Sequence, residues 1–317
     1  MGVNLDLIKF SIGPIISPSH AIFSCIFFTL CFVGGLYFSK KTRIGGNNPR
    51  LTKDHPHVIM NRVISVVTTC IISFIGVWLL IHFSGGFKES MTILSEIYTT
   101  LVLLGFSLPT HPYHILNTFF IPLGLTMSLF IGPLFVKFLD KELPFQAKFN
   151  WRYDILNYIT SLIGFRNLIF APMTEEFVFR CCMVPLLALA DFSRIQIIFL
   201  SPLVFGIAHI HHAWEVYVTN GRTMATAKFA IFASIFQFFY TTLFGWYATF
   251  LFMRTGHFIP PFFAHIFGNV MGFPVFNMAA YPKKVKKGPA TNPSLYEDVG
   301  NSIYWYNANN GSKPQVK

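Results

Sequence analysis

A chain of 317 residues that is 53% hydrophobic, 17% aromatic and only 12% charged, with a mean hydropathy of +0.53, lacks the polar surface of a soluble domain. It reads as a polytopic membrane protein. The formal net charge of +11 would suggest nucleic acid in a soluble fold, but here Lys and Arg gather in loops and the C-terminal stretch, where they set topology and meet anionic lipid. No basic motif with interleaved stacking aromatics accompanies them, so no nucleic-acid partner is expected.

In chain order, 20–38 is the first apolar run long enough to cross ~30 Å of hydrocarbon. The loop 39–62 carries Lys40, Lys41, Arg43, Arg50, Lys53 and Arg62 against Asp54, and the positive-inside rule places it in the cytoplasm. A second span follows at 63–83. The run 91–108 is a weaker candidate because Glu96 lies within it and Pro109 and Pro112 close it. The run 116–139 is long enough to span, with Pro122 and Pro133 as expected kinks. The mixed-charge linker 140–152 divides an N-terminal transmembrane helical region, 1–150, from a region holding the chemistry, 151–280. Within the latter, 155–171 reads as a span, 174–190 as a glutamate-bearing helix, and 195–210 as a further apolar helix. The run 225–253 is longer than a perpendicular crossing. Pro260-Pro261 opens a last helix, whose Gly268 and Gly272 form a GxxxG suited to close helix contact. Residues 281–317, with Lys283, Lys284, Lys286 and Lys287, are expected to be a disordered cytoplasmic tail.

The expected fold is therefore all-α: a transmembrane bundle of about eight apolar helices enclosing an intramembrane active-site cavity. A cytoplasmic first loop and tail require an odd number of crossings, so at least one apolar segment is expected not to cross fully. The N-terminal stretch is a poor signal peptide, and Gly2 lacks the Ser or Thr of a myristoylation signal. Asn310-Gly311-Ser312 is a formal glycosylation site, expected to be unused in a cytoplasmic tail. Cys25, Cys31, Cys70, Cys181 and Cys182 all lie in apolar stretches without disulfide or zinc spacing.

Three polar clusters stand in these apolar surroundings: Glu175, Glu176 and Arg180; then Phe205 and His209 with His211 and His212; then His265 and Asn269. Ionisable groups inside a membrane segment are costly unless paired or facing a cavity, which makes them site candidates. Glu176 and Arg180 are i,i+4 neighbours able to pair, while Glu175 points roughly 100° away from Glu176. His265 and Asn269 leave one helix face together. A carboxylate base, an imidazole and a His/Asn donor pair are the parts that activate water and hold a developing oxyanion. Burial works against the Glu175 anion, whereas a helix start near Thr174 favours it; the residues leave that balance open. Glu176 with Arg180 reads chiefly as a structural ion pair. His211 and His212 read as interfacial residues at a helix end. Without HExxH or ligand-spaced cysteines no metal is expected, and Cys181 and Cys182 read as packing residues rather than nucleophiles.

These residues form three motifs in order: EExxxR from Glu175 to Arg180, FxxxH from Phe205 to His209, and HxxxN from His265 to Asn269. Together they resemble the type II CAAX prenyl proteases, the Ras-converting enzymes of the ABI membrane-protease family, over about 155–275. The resemblance implies an endoplasmic-reticulum membrane endoprotease, its site accessible from the cytoplasm, that removes the last three residues of prenylated CaaX proteins such as small GTPases. It implies a glutamate-dependent enzyme without a cofactor or essential metal. Glu175 and His209 would activate water, His265 and Asn269 would form the oxyanion hole, and Glu176 with Arg180 would support them. The competing readings are a zinc-dependent protease of the same substrates, a non-catalytic ABI-family scaffold, and a transporter whose carboxylates bind a proton or cation.

Overall fold

The computed structural model describes residues 15–39, 42, 52–107 and 112–272. Most of the basic first loop, Pro109, the C-terminal lysines and the Asn310 site lie outside the described residues. Among those described, every regular element is helical.

The first two helices form a close pair. Helix α1 (Pro18–Phe38) starts with Ser17 as N-cap, its hydroxyl accepting from the His20 amide, and a proline in the first turn. Helix α2 (Pro56–Phe83) begins earlier than its apolar run, its polar first turns carrying Arg62 toward other helices. A Cβ on Gly35 would collide with the Ser65 hydroxyl, and Thr69 Oγ1 donates to the Cys31 carbonyl at 3.2 Å. In lipid, such small-residue contact and polar bonding replace water exclusion as the cause of helix association. The short α3 (Ile93–Leu103) buries Glu96, whose Oε2 accepts from Trp78 Nε1 at 3.1 Å and lies 2.9 Å from His82 Nδ1. Its 11 residues rise only about 16 Å.

The 116–139 run does bend. Helix α4 (Pro112–Ile115), a π-helical turn (Leu116–Phe120) and α5 (Ile121–Leu129) are continuous, and the chain then turns by 75° at Phe130 into α6 (Ile131–Leu139). Pro133 has no N–H for the Leu129 carbonyl, and its ring crowds that carbonyl, so the break falls just upstream. The linker beyond it returns to helix in a π turn (Trp151–Leu156) and α7 (Asn157–Thr160).

The largest departure concerns 155–190. Ser161 leaves the helix at ψ 147° and caps α8 (Leu162–Phe165) by accepting from the Gly164 amide, which splits the span expected at 155–171. From there the chain stays helical through a π turn (Arg166–Phe170), α9 (Ala171–Glu176), a second π turn (Phe177–Cys182) and α10 (Met183–Leu189). Phe170 and Ala171 have helical dihedrals, so Glu175 sits within a helix and the helix start expected near Thr174 is absent. The prolines explain the irregularity. Pro122, Pro172 and Pro185 each follow a π turn by two or three residues, and widening that turn relieves the ring's clash with the carbonyl four residues back.

The last four helices are α11 (Arg194–Ala208), α12 (His211–Thr219), α13 (Met224–Thr255) and α14 (Ile259–Met271). Helices α11 and α13 approach closely through glycines: a Cβ on Gly206 would meet the Thr242 hydroxyl, and one on Gly245 would lie 2.6 Å from Pro202 Cβ. The expected Gly268–Gly272 contact is not formed. A Cβ on Gly268 would meet only Phe130, 4.0 Å away, and Gly272 is instead the C-cap of α14, with φ 71°. The tip between α13 and α14 is held where Phe258 N–H donates to the Gly105 carbonyl at 3.1 Å. Gly105 has φ 88° and lies so near Phe258 that a Cβ would be 2.8 Å from its nitrogen.

Among the described residues, four helices are long and apolar enough to span, counting 194–219 as one, and five if the bent pair is one span. The expectation of about eight counted segments that are too short or broken, among them α3, 155–171 and α14. Phe23 and Phe232 remain 68% and 73% exposed on α1 and α13, as lipid-facing residues must. The glutamate run lies inside, touching α1, α2, α11, α13 and α14.

Candidate active site

Glu176 and Arg180 keep helical i,i+4 proximity through the second π turn, with Nη1 to Oε1 at 3.0 Å and side chains 0% and 1% exposed. A buried pair of this kind survives only with good geometry and further partners. One such partner comes from α14, where His265 Nδ1 lies 2.7 Å from the same Oε1. Another is aromatic: the Arg180 guanidinium carbon stands 4.2 Å from the centroid of Phe205 on α11. Glu176 is thus tied to His265 as well as to Arg180, which the sequence did not indicate. Cys181 and Cys182, the next two residues of the chain, are both 0% exposed.

Glu175 points elsewhere, as its register predicts, and keeps 18% of its side chain exposed. Its Oε2 lies 3.7 Å from His265 Nε2. That separation is too long for a direct hydrogen bond and suits a bridging water or substrate atom. His265 therefore stands between two carboxylates, with Nδ1 to Glu176 and Nε2 to Glu175.

His209 is placed by the way α11 ends. Its backbone N–H turns to the Gly206 carbonyl at 3.1 Å, tightening the last turn and releasing the Phe205 carbonyl, which the His209 Nδ1–H takes at 2.8 Å. That bond fixes the tautomer and leaves Nε2 as the acceptor. Phe205 is the shared wall: its ring centroid is 4.5 Å from that of His209 and 6.4 Å from that of His265.

Asn269 shares a face of α14 with His265, and its Nδ2 donates to the Asn167 carbonyl in the first π turn at 3.0 Å. One amide proton is thereby used to orient the side chain and the second is left over. Sequence reasoning missed Asn167, whose contribution is a backbone carbonyl, and Phe244, whose ring lies 4.8 Å from that of His265.

A second polar cluster adjoins the first. On α12, Glu215 receives Arg62 Nη2 at 2.7 Å and the Tyr37 hydroxyl at 3.2 Å on Oε1, and its Oε2 lies 3.3 Å from His212 Nδ1. His211, His212 and Glu215 bring metal-ligating atoms within 4.8 Å of one another. A cation there would have to share Glu215 with the Arg62 guanidinium. Only the histidines of this group stood out in the sequence; Glu215 lies one turn further along the same helix, while Tyr37 and Arg62 come from distant segments.

These features define a multi-pass membrane protein with a buried carboxylate–imidazole site. The chain belongs to the Rce1-like family of type II CAAX prenyl endopeptidases. The family model described as Type II CAAX prenyl endopeptidase Rce1-like matches residues 158–271. A "Probable CAAX prenyl protease 2" of Schizosaccharomyces pombe is 35% identical over 249 residues, covering 78% of this chain and 79% of that protein. The "CAAX prenyl protease 2" of Homo sapiens is 35% identical over 271 residues, 83% and 74% of the two chains. That of Arabidopsis thaliana is 46% identical over 122 residues, 38% of each. No solved structure matches the chain significantly.

Proposed function

We propose that this protein is a CaaX prenyl endopeptidase that releases the C-terminal tripeptide of prenylated proteins, small GTPases among them, in the endoplasmic-reticulum membrane and from its cytoplasmic side. The catalytic core is assigned to 151–280. The observation that carries the reading is the pairing of Glu175 with His265 across 3.7 Å, beside the locked Glu176–Arg180 pair.

In the proposed reaction Glu175, aided by His209, takes a proton from water as the water oxygen attacks the scissile carbonyl carbon. The new C–O bond places negative charge on the former carbonyl oxygen. With its Nδ1–H held by Glu176, His265 has Nε2 to meet that charge, as a donor when the ring is doubly protonated, and Asn269 adds its second amide proton. Collapse breaks the C–N bond, and the proton held by Glu175 passes to the departing amine. Glu176 and Arg180 supply fixed charge and hold the ring, so little reorganisation is needed during the reaction.

A prenylated cysteine suits a site in the bilayer, because each buried CH₂ contributes about 0.8 kcal/mol to membrane binding. The testing experiment compares hydrolysis of a farnesylated CaaX peptide and its unprenylated twin by the purified protein. Prenyl-dependent release of the tripeptide is expected. Failure to cleave either peptide by folded protein would leave the scaffold reading in its place.

A further inference from the structure

Cleavage three residues from a chain end gives the leaving peptide a free carboxylate, and an extended tripeptide spans only about 10 Å. In a membrane-embedded site that charge needs a donor near the water-activating groups. The described cations around the site differ in what they have left to offer. Arg180 keeps Nη2 without a hydrogen-bond partner, but the side chain is 1% exposed and covered by Phe205, closed to a substrate carboxylate. Arg166 is taken up by Asp54, the Lys53 carbonyl and Asn167. Arg62 spends Nη2 on Glu215 and Nε on the Thr42 carbonyl.

His212 is different. Its side chain is 38% exposed, and its ring centroid lies 5.8 Å from that of His209, one of the proposed water-activating groups. We infer that His212, held by Glu215, binds the C-terminal carboxylate of the substrate; the inference rests on the endopeptidase reading above.

The surrounding residues give His212 a fixed aim. Arg62 from α2 and Tyr37 from α1 both occupy Oε1 of Glu215, which reserves Oε2 for His212 Nδ1. The outer nitrogen of the ring is then the free one. His211 braces it, 4.1 Å away between centroids, and is itself anchored by Nδ1 on the Ala208 carbonyl. Charge balance points the same way. Arg62 already neutralises Glu215, so a substrate carboxylate at the outer nitrogen meets no unpaired anion. A merely interfacial histidine has no need of a glutamate 6% exposed and clamped by two other helices.

The test pairs two prenylated CaaX peptides, one ending in a free carboxylate and one in a carboxamide, with full-length wild type, His212→Ala, His212→Gln and Glu215→Gln. A charge-assisted bond contributes about 1.5–3 kcal/mol, so wild type should favour the acid by about ten- to a hundredfold in kcat/KM. That ratio, whatever the absolute rate of a variant, should collapse toward one in His212→Ala and fall in Glu215→Gln. His212→Gln, a donor without charge, should give an intermediate value, and it serves as the folded variant should His212→Ala be unstable. A wild type that cleaves both peptides with a ratio unchanged by these substitutions, or near one from the start, overturns the inference alone. A wild type that cleaves neither overturns the endopeptidase reading with it.

Discussion

His265 Nδ1 lies 2.7 Å from Glu176 Oε1, so an imidazole on α14 and the Glu176–Arg180 pair of the glutamate run share one carboxylate oxygen. Glu176 is therefore both a stabilising residue and the anchor of a proposed oxyanion donor, and these two effects can be separated experimentally.

Glu176→Gln leaves the Arg180 charge buried without a counter-ion. Removing one partner of a buried pair costs about 3–5 kcal/mol, so a marked fall in thermal midpoint and loss of turnover are expected. Replacing both partners, as in Glu176→Leu with Arg180→Met, should recover most of the stability because no unpaired charge remains. Turnover should stay low, since His265 still lacks its anchor. Thermal unfolding and peptide hydrolysis on the same preparations check both halves.

Asn269→Ala removes the proposed second oxyanion donor and the bond to the Asn167 carbonyl. Loss of one such donor lowers kcat by about 10²–10³-fold. KM should change little, because the interaction strengthens only as charge develops. Asn269→Asp, which keeps the shape but not the N–H, should not rescue. Steady-state kinetics on a prenylated peptide give the split.

Gly245→Ala would put a methyl group 2.6 Å from Pro202 Cβ and 3.2 Å from Arg180 Nη2. Overpacking of this kind costs about 1–3 kcal/mol, and displacement of the guanidinium should lower turnover as well. Gly124→Ala on α5 meets nothing within 4 Å and should stabilise by about 0.5–1 kcal/mol through helix propensity alone. Thermal midpoints of the two variants should move in opposite directions.

The site was legible in the sequence where spacing on one helix settles the geometry. Glu176 with Arg180, and His265 with Asn269, are i,i+4 pairs, and both point as helical periodicity requires. The bend near Pro133 was readable from residue type for the same local reason. What the sequence hid is tertiary. Nothing in it brings His265 to Glu176, which is 89 positions away, or gathers Tyr37 and Arg62 around Glu215. From sequence, 155–171 and 174–190 read as separate elements, whereas a π turn ahead of Pro172 absorbs that proline and the helix continues. GxxxG failed because Gly272 ends its helix, while the glycines that do admit close packing, Gly206 and Gly245, lie in no pair of that spacing.

The most direct test is hydrolysis of a farnesylated CaaX peptide by wild type and Glu175→Gln, each with and without a metal chelator. Glu175 is only partly buried, so the variant should fold with an unchanged thermal midpoint. Its turnover should fall by about 10²–10⁴-fold, as removal of a general base does, while wild-type activity persists in chelator. A folded Glu175→Gln protein that cleaves at near wild-type rate, or a wild type silenced by chelator and restored by Zn²⁺, would contradict a glutamate-activated water.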